Sequence, residues 1–317
     1  ELLKKLLELP NGIPSHDTFR RVFMLLDPVE LQNCFMSWTD SLRAFSKGEV
    51  ISLDGKCLRG SFDKQDGKSA IHMVNAWASE NKIVLGQIKV DDKSNEITAI
   101  PKLLKLIDIA DCIVTIDAMG TQKEIAKGIR NNGADYVLAL KGNQGNLHKD
   151  VELYFDDYFD GRFEDVNYSY HETVDGDHGR IETRKYHMIF DVDWLDCIDD
   201  WEDLSAIGVV ESIVEKDGKV SSEKRYFITS LKSNAQELGG AIRKHWGVES
   251  SLHWVLDVAF KEDSSRKRKD NSAANFACIR QIAVNYLKRE KTLKRSISGK
   301  RLKAAYDENY LLKILMS

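Results

Sequence analysis

Val50-Ile51-Ser52-Leu53-Asp54 and Cys112-Ile113-Val114-Thr115-Ile116-Asp117 decide how this chain reads: two short apolar runs, each closed by an aspartate. Runs this short and this rich in β-branched residues predict buried strands. Between them, Ala70 to Ala78 and Lys82 to Val90 are further strand-like runs, joined by Ser79-Glu80-Asn81-Lys82 as a hairpin turn. Ile97, Ile100, Leu103, Leu104 and Ile107 then recur on one side of a helix from Asn95 to Ile107. After Asp117 the pattern predicts a helix over Thr121 to Asn131, closed by Asn132-Gly133. Tyr136 to Leu140 is the next strand, ended by Lys141-Gly142-Asn143. The order β-β-β-α-β-α-β predicts an α/β fold, a mixed sheet flanked by helices. It sets carboxylates at the ends of the first and fourth strands, where active sites of such sheets gather.

Working outward, residues 1–46 read as an N-terminal helical region. The chain opens within a helical pattern (Leu2, Leu3, Leu6, Leu7, Leu9), which predicts that the natural protein begins earlier. Pro14-Ser15 offers a turn and an N-cap, and Phe19, Val22, Phe23 and Leu26 keep helical spacing until Pro28. A second helix runs from Val29 towards Phe45. Residues 47–150 hold the first part of the core, and 151–235 read as an acidic, mainly β insertion, with Lys216-Asp217-Gly218-Lys219 as one of its turns. Residues 236–317 return to the core. A helix from Ala235 to about Val258 carries Leu238, Ile242, Trp246, Glu249, His253 and Leu256, another spans Ser272 to Lys288, and a basic tail follows.

Charge is segregated. Lys261 to Lys303 holds fourteen Lys and Arg against four acidic residues, a net of +10, which leaves −14 for the rest of a chain whose total is −4. One face suited to a polyanion and another kept away from it would produce this pattern, as would a solvated basic helix. Cys34, Cys57, Cys112, Cys197 and Cys278 form no C-x-x-C pair, so the expectation is reduced thiols in a cytoplasmic protein. No apolar run reaches the roughly 18 residues of a membrane span.

Asp54 and Asp117 suit phosphodiester chemistry, in which two divalent ions stabilise the attacking and leaving oxygens. Mg²⁺, or Mn²⁺ in its place, takes hard oxygen ligands and is held by few carboxylates. Aspartates at strand ends also serve as plain turn formers. Glu249 is the third carboxylate, mid-helix, with His245 and His253 one turn to either side. A cation would compensate its burial, as would a bond to either histidine. The same three residues admit a zinc site, although the H-E-x-x-H order is absent. Lys56 and Arg59 beyond Asp54, Lys141 and Asn143 beyond the last core strand, and Arg266-Lys267-Arg268-Lys269 are candidate phosphate contacts.

Together these blocks resemble one family. Ile13-Pro14-Ser15-His16-Asp17-Thr18-Phe19-Arg20-Arg21-Val22-Phe23 resembles the N-terminal signature of the ISAs-type insertion-sequence transposases, also called H-repeat-associated proteins. Asp54-Gly55-Lys56 with Arg59-Gly60-Ser61, and Thr115-Ile116-Asp117-Ala118 with Gln122, are similar to its two aspartate motifs. Lys141-Gly142-Asn143-Gln144, His178-Gly179-Arg180-Ile181-Glu182 and His245-Trp246-Gly247-Val248-Glu249-Ser250-Ser251-Leu252-His253-Trp254 are similar to later blocks, so the resemblance runs from about residue 2 to residue 315.

The resemblance implies an RNase H-like fold, a DDE site of Asp54, Asp117 and Glu249, and an insertion before the glutamate helix. It also implies Mg²⁺ (or Mn²⁺), double-stranded transposon ends and target DNA as partners, a homodimer on DNA, no membrane, and cytoplasmic, nucleoid-associated work. The spacing agrees: 63 residues separate Asp54 from Asp117, and 132 separate Asp117 from Glu249. A Y-x2-R-x3-E-x6-K pattern known around such glutamates is not kept. Ile242, His245 and Leu256 occupy its other positions, and Arg243, Lys244 or Lys261 stand as substitutes. A stand-alone nuclease of the same fold and a silent DNA-binding relic are the alternatives.

Overall fold

In the computed structural model, residues 4, 7–42, 47–62, 67, 69–90, 95–177 and 179–316 are described. The elements run α1 (His16–Leu25), α2 (Pro28–Leu42), β1 (Val50–Leu58), β2 (Ile71–Ala78), β3 (Ile83–Lys89), α3 (Glu96–Leu104) and β4 (Ile113–Ile116). Next come α4 (Lys123–Asn131), β5 (Asp135–Leu140), α5 (Asn146–Phe159), β6 (Tyr168–Asp177), β7 (Arg180–Ile189), β8 (Ala206–Lys216) and β9 (Lys219–Thr229). The chain closes with α6 (Ala235–Val248), a π-helical turn (Glu249–His253), α7 (Trp254–Phe260), α8 (Ser272–Arg289), α9 (Ile297–Tyr306) and α10 (Glu308–Leu315). Leu2, Leu3, Leu6, Phe45 and His178 lie outside the described residues.

The chain divides into two units. Unit 1 comprises Glu1–Ala44, Gly55–Asn95 and Val248–Ser317, and unit 2 comprises Phe45–Asp54 and Glu96–Gly247. The boundary cuts β1 between Asp54 and Gly55, so that strand belongs to both. Unit 1 carries the strand order β3-β2-β1, and unit 2 carries β1-β4-β5-β9-β8-β7-β6. β1 continues to Leu58, so Asp54 lies within the strand and not at its end. The parallel register with β4 stops earlier, at Leu53 opposite Ile116.

In unit 2, β1, β4 and β5 are parallel and buried, while β9 adds antiparallel to β5 through Val137 opposite Thr229. The expected RNase H-like mixed sheet with a β-rich insertion is present, and the insertion's strands extend the sheet through that pairing. The β8–β9 hairpin turns at Asp217 and Gly218, both at positive φ (50° and 72°), the backbone that matches the twist of two-residue hairpins. Helix α6 lies close to the sheet because two contacts have no Cβ: one added at Gly208 would sit 2.6 Å from Leu238 Cδ2, and one at Gly239 would sit 2.8 Å from the Tyr186 ring. Tyr186, Met188, Val210, Phe227, Leu238 and Ile242 form the core there.

Helix α5 runs into the segment that the sequence reading assigned, from about 151, to an acidic, mainly β insertion whose strands were placed at His171 to Phe190 and Ile207 to Leu231. Leu147, Val151 and Phe155 recur every fourth residue and are buried, while Asp150, Glu152 and Asp156 are exposed.

In unit 1, Ser15 caps α1 by accepting from Thr18 N at 3.2 Å, as its sequence position predicts. Asp27 Oδ1 accepts from Val29 N at the start of α2. Asn285 on α8 bonds both backbone groups of Val84, Nδ2 to O and N to Oδ1, each at 2.8 Å, which fastens the helix to β3. Phe35, Trp77, Val84, Leu252, Leu256 and Val284 pack as one cluster. The expected basic tail is instead two helices, with Ser296 and Asp307 as N-caps accepting from Gly299 N and Tyr310 N. No helix among the described residues is long and apolar enough to cross a membrane.

Candidate active site

Asp117 leaves β4 one residue after the pair Leu53–Ile116, and Asp54 follows Leu53 on β1. The two aspartates therefore occupy equivalent positions on neighbouring parallel strands, about 4.8 Å apart in the pairing direction. Asp117 is half-buried, and its Oδ1 accepts from Met119 N at 3.1 Å and Gly120 N at 3.3 Å. This Asx turn fixes the carboxylate, and Oδ2 takes no part in it. Thr121 Oγ1 donates to Ala139 O at 2.6 Å and ties the following loop to β5. Asn143 Nδ2 and Gln144 Nε2 both donate to Ala118 O, at 2.7 and 2.8 Å. The Lys141-Gly142-Asn143-Gln144 block thus braces the Asp117 loop, while the Lys141 side chain stays exposed.

Beneath the aspartates, Thr115 Oγ1 donates to Ser52 Oγ at 3.2 Å and lies 3.0 Å from His245 Nδ1. A hydroxyl donates once, so His245 donates from Nδ1 to Thr115. That bond holds α6 against β4. A cavity of about 270 Å³ opens beside Asp117, lined among others by Lys141, His148, Arg225, His245 and Trp246. Its rim is an Arg225 guanidinium 4.7 Å over the Trp246 ring, with Glu223 paired to the same arginine at 2.8 and 2.9 Å. Nothing in the sequence pairs Arg225 with Trp246.

On unit 1, Glu249 opens the π-helical turn with a side chain 61% exposed, and His253 Nδ1 lies 3.5 Å from its carboxylate. Burial pushes His253 below the usual histidine range, against the pull of Glu249. Lys56 is buried: its Nζ lies 2.7 Å from Asp257 Oδ2 and 3.9 Å from Asp263 Oδ1. Arg59 reaches Asp263 at 3.5 Å. Gly60 is required where it stands, since a Cβ there would sit 2.7 Å from Asp263 O and closer still to Ser265 O. Arg268 donates to Gly60 O at 3.0 Å and covers the Phe62 ring. Glu262, 3% exposed, meets Arg280 at 3.4 Å, and desolvation raises its carboxyl to about 7.

The other expected DNA contacts are dispersed. Arg243 pairs with Asp175 at 3.3 Å, Lys261 ends α7 in the left-handed conformation, and Lys267 sits over Phe276. Lys261, Arg266, Lys267 and Lys269 are exposed. Asp257 and Asp263 were not singled out from the sequence. Asp257 had a signal, because it continues the four-residue spacing of Glu249 and His253, whereas its partner Lys56 stands 201 residues away.

Two aspartates just past the last residue pair of neighbouring parallel strands, followed much later in the sequence by a helical glutamate, define the class: a carboxylate-bearing RNase H-like core. The chain belongs to the transposase DDE domain family, whose model matches residues 45–286, and residues 1–39 match a model described as DDE_Tnp_1-associated. It is 42% identical over 322 residues to YncI of Escherichia coli O157:H7, a transposase by name, covering 100% of this chain and 82% of that protein. It is 40% identical over 324 residues to the H repeat-associated YhhI of Escherichia coli strain K12, covering 99% and 84%. Among solved structures, the piggyBac transposase synaptic complex with hairpin DNA is similar in fold, with a TM-score of 0.51 at 12% identity over 95% of this chain and 61% of that one.

Proposed function

We propose that the protein is a metal-dependent DNA transposase that hydrolyses phosphodiesters at insertion-sequence ends and joins the freed 3′ ends to target DNA. The observation carrying this reading is the register of β1 and β4, which brings Asp54 and Asp117 to equivalent strand positions. Asp54, Asp117 and Glu249 would hold Mg²⁺ or Mn²⁺, with His253 beside Glu249 as a further donor, and hard carboxylate oxygens suit either ion. The bound ions would supply charge stabilisation at the attacking and leaving oxygens.

The protein's own groups do the positioning. The Asx turn fixes Asp117, Asn143 and Gln144 brace its loop, and Thr115 holds His245 and its helix to β4. Arg59, Lys141, Arg243, His245, Lys261 and the run Arg266 to Lys269 are the proposed contacts for double-stranded DNA, with paired ends held by a homodimer. In this reading, residues 1–46 serve end binding or assembly, 47–150 and 236–317 form the catalytic core, and 151–235 is its insertion.

The test is nicking and strand transfer on supercoiled DNA carrying candidate ends, with Mg²⁺ or Mn²⁺, for the parent and Asp117→Ala. Cleavage and joining lost in the variant support the proposal. Cleavage without end preference or joining would make the protein a nuclease, and salt-sensitive binding with no cleavage would make it a relic.

A further inference from the structure

We infer that Lys56 is a positioning residue for Glu249, acting through Asp257, and is not a contact for the DNA backbone. The inference rests on the reading that Glu249 helps to hold a divalent cation. Lys56 leaves the Asp54-Gly55-Lys56 block with only 9% of its side chain exposed, and its ammonium sits between two carboxylates, at 2.7 Å and 3.9 Å. A phosphate would have to displace both.

Removing the ammonium would take the close cation from Asp257 and leave Asp263 with Arg59 at 3.5 Å, while Asp257 Oδ1 and Asp263 Oδ1 are buried with no hydrogen-bond partner. Asp257 lies in the first turn of α7, directly after the π-helical turn. Glu249, His253 and Asp257 follow one another at intervals of four, so a pull on Asp257 sets the rotation of the stretch that carries Glu249. An exposed carboxylate cannot orient itself. The tie from Glu249 to His253 is 3.5 Å long, whereas the Lys56–Asp257 pair joins that stretch to β1 at 2.7 Å. A widened π turn at a functional carboxylate needs such an anchor, since its backbone geometry is looser than that of an α-helix.

Two readouts that need no catalysis separate this role from phosphate binding: Mn²⁺ affinity without DNA, followed by electron paramagnetic resonance, and metal-free DNA affinity across a salt series. Lys56→Met and Asp257→Asn are each expected to weaken Mn²⁺ binding about tenfold, as loss of an outer-shell partner does. Neither should change the slope of log affinity against log salt. The exchanged pair, Lys56→Asp with Asp257→Lys, should recover part of the Mn²⁺ affinity, which a merely structural loss would not do.

Unchanged Mn²⁺ binding in Lys56→Met, with a salt slope lower by about one, would overturn the inference in favour of a phosphate contact. If Lys56→Met does not fold, Lys56→Arg keeps the charge but spreads it over a planar fork. It should still weaken Mn²⁺ binding, and parent-like binding would overturn the inference. Asp54→Ala is the control. If it abolishes Mn²⁺ binding while Lys56→Met does not alter it, this inference fails and the proposed site stands; a parent that binds no Mn²⁺ overturns both.

Discussion

Glu262 should make folding stability fall as the pH rises through neutrality. It is 3% exposed, its partner Arg280 lies at 3.4 Å, and Lys56, Asp257 and Asp263 are the other charged groups acting on it. Desolvation outweighs the favourable charges and lifts the carboxyl from 4.5 to about 7. The folded state therefore prefers the protonated acid. The stability this confers is fully present below pH 4.5, the unfolded value, and is lost as the pH climbs through about 7. Integrating the proton linkage between pH 5 and 8 gives a loss of about 2.5 kcal/mol from this one group. Glu262→Gln cannot ionise, so its stability should lack that component, whatever Arg280 loses in absolute terms, because Arg280 stays charged throughout. The assay is urea unfolding of parent and variant at about pH 5, 6, 7 and 8, read by tryptophan fluorescence. The quantity compared is the slope of stability against pH. Parallel slopes in the two proteins would refute the reasoning and mean that Glu262 is ionised in the folded state across the range.

Gly60→Ala should destabilise the protein by about 1–3 kcal/mol, because its Cβ would press on the backbone oxygens of Asp263 and Ser265; a parent-like urea midpoint would show that the segment yields freely. Thr115→Val should cost about 1–3 kcal/mol by leaving Ser52 and His245 without their shared hydroxyl, while Thr115→Ser should lose less than half as much in the same unfolding assay. Asn143→Ala removes one of two amides on the Ala118 carbonyl, at about 1 kcal/mol, and should slow metal-dependent cleavage with no change in the salt slope of DNA binding. A slope lowered by about one would instead make Asn143 a phosphate contact.

The sheet was legible because its strands are written as short β-branched runs, and Ser15 was legible as a cap because its partner is three residues away. Helix α5 was not read from the sequence, where the acidic stretch from Asp150 counted as part of the insertion although Leu147, Val151 and Phe155 keep helical spacing. The pairing of β5 with β9 joins residues some ninety positions apart, and no local pattern encodes it. The π turn escaped for a related reason, since helical spacing carries no mark of one extra residue per turn. At the candidate site, Asp54 and Asp117 announce themselves as carboxylates after apolar runs, and Glu249 as a carboxylate on an otherwise apolar helical stripe. The Lys56–Asp257 pair does not, because a lysine two residues beyond an aspartate reads as surface until burial is known.

The β8–β9 hairpin has a practical use. Its inner residues fix the register through Ala206 opposite Thr229, while its outer end, Glu215 to Lys224, stands in solvent around a two-residue turn. Nothing in the core depends on what lies between Asp217 and Gly218. That tip is therefore a port at which a fluorophore-bearing peptide or an affinity handle can be grafted.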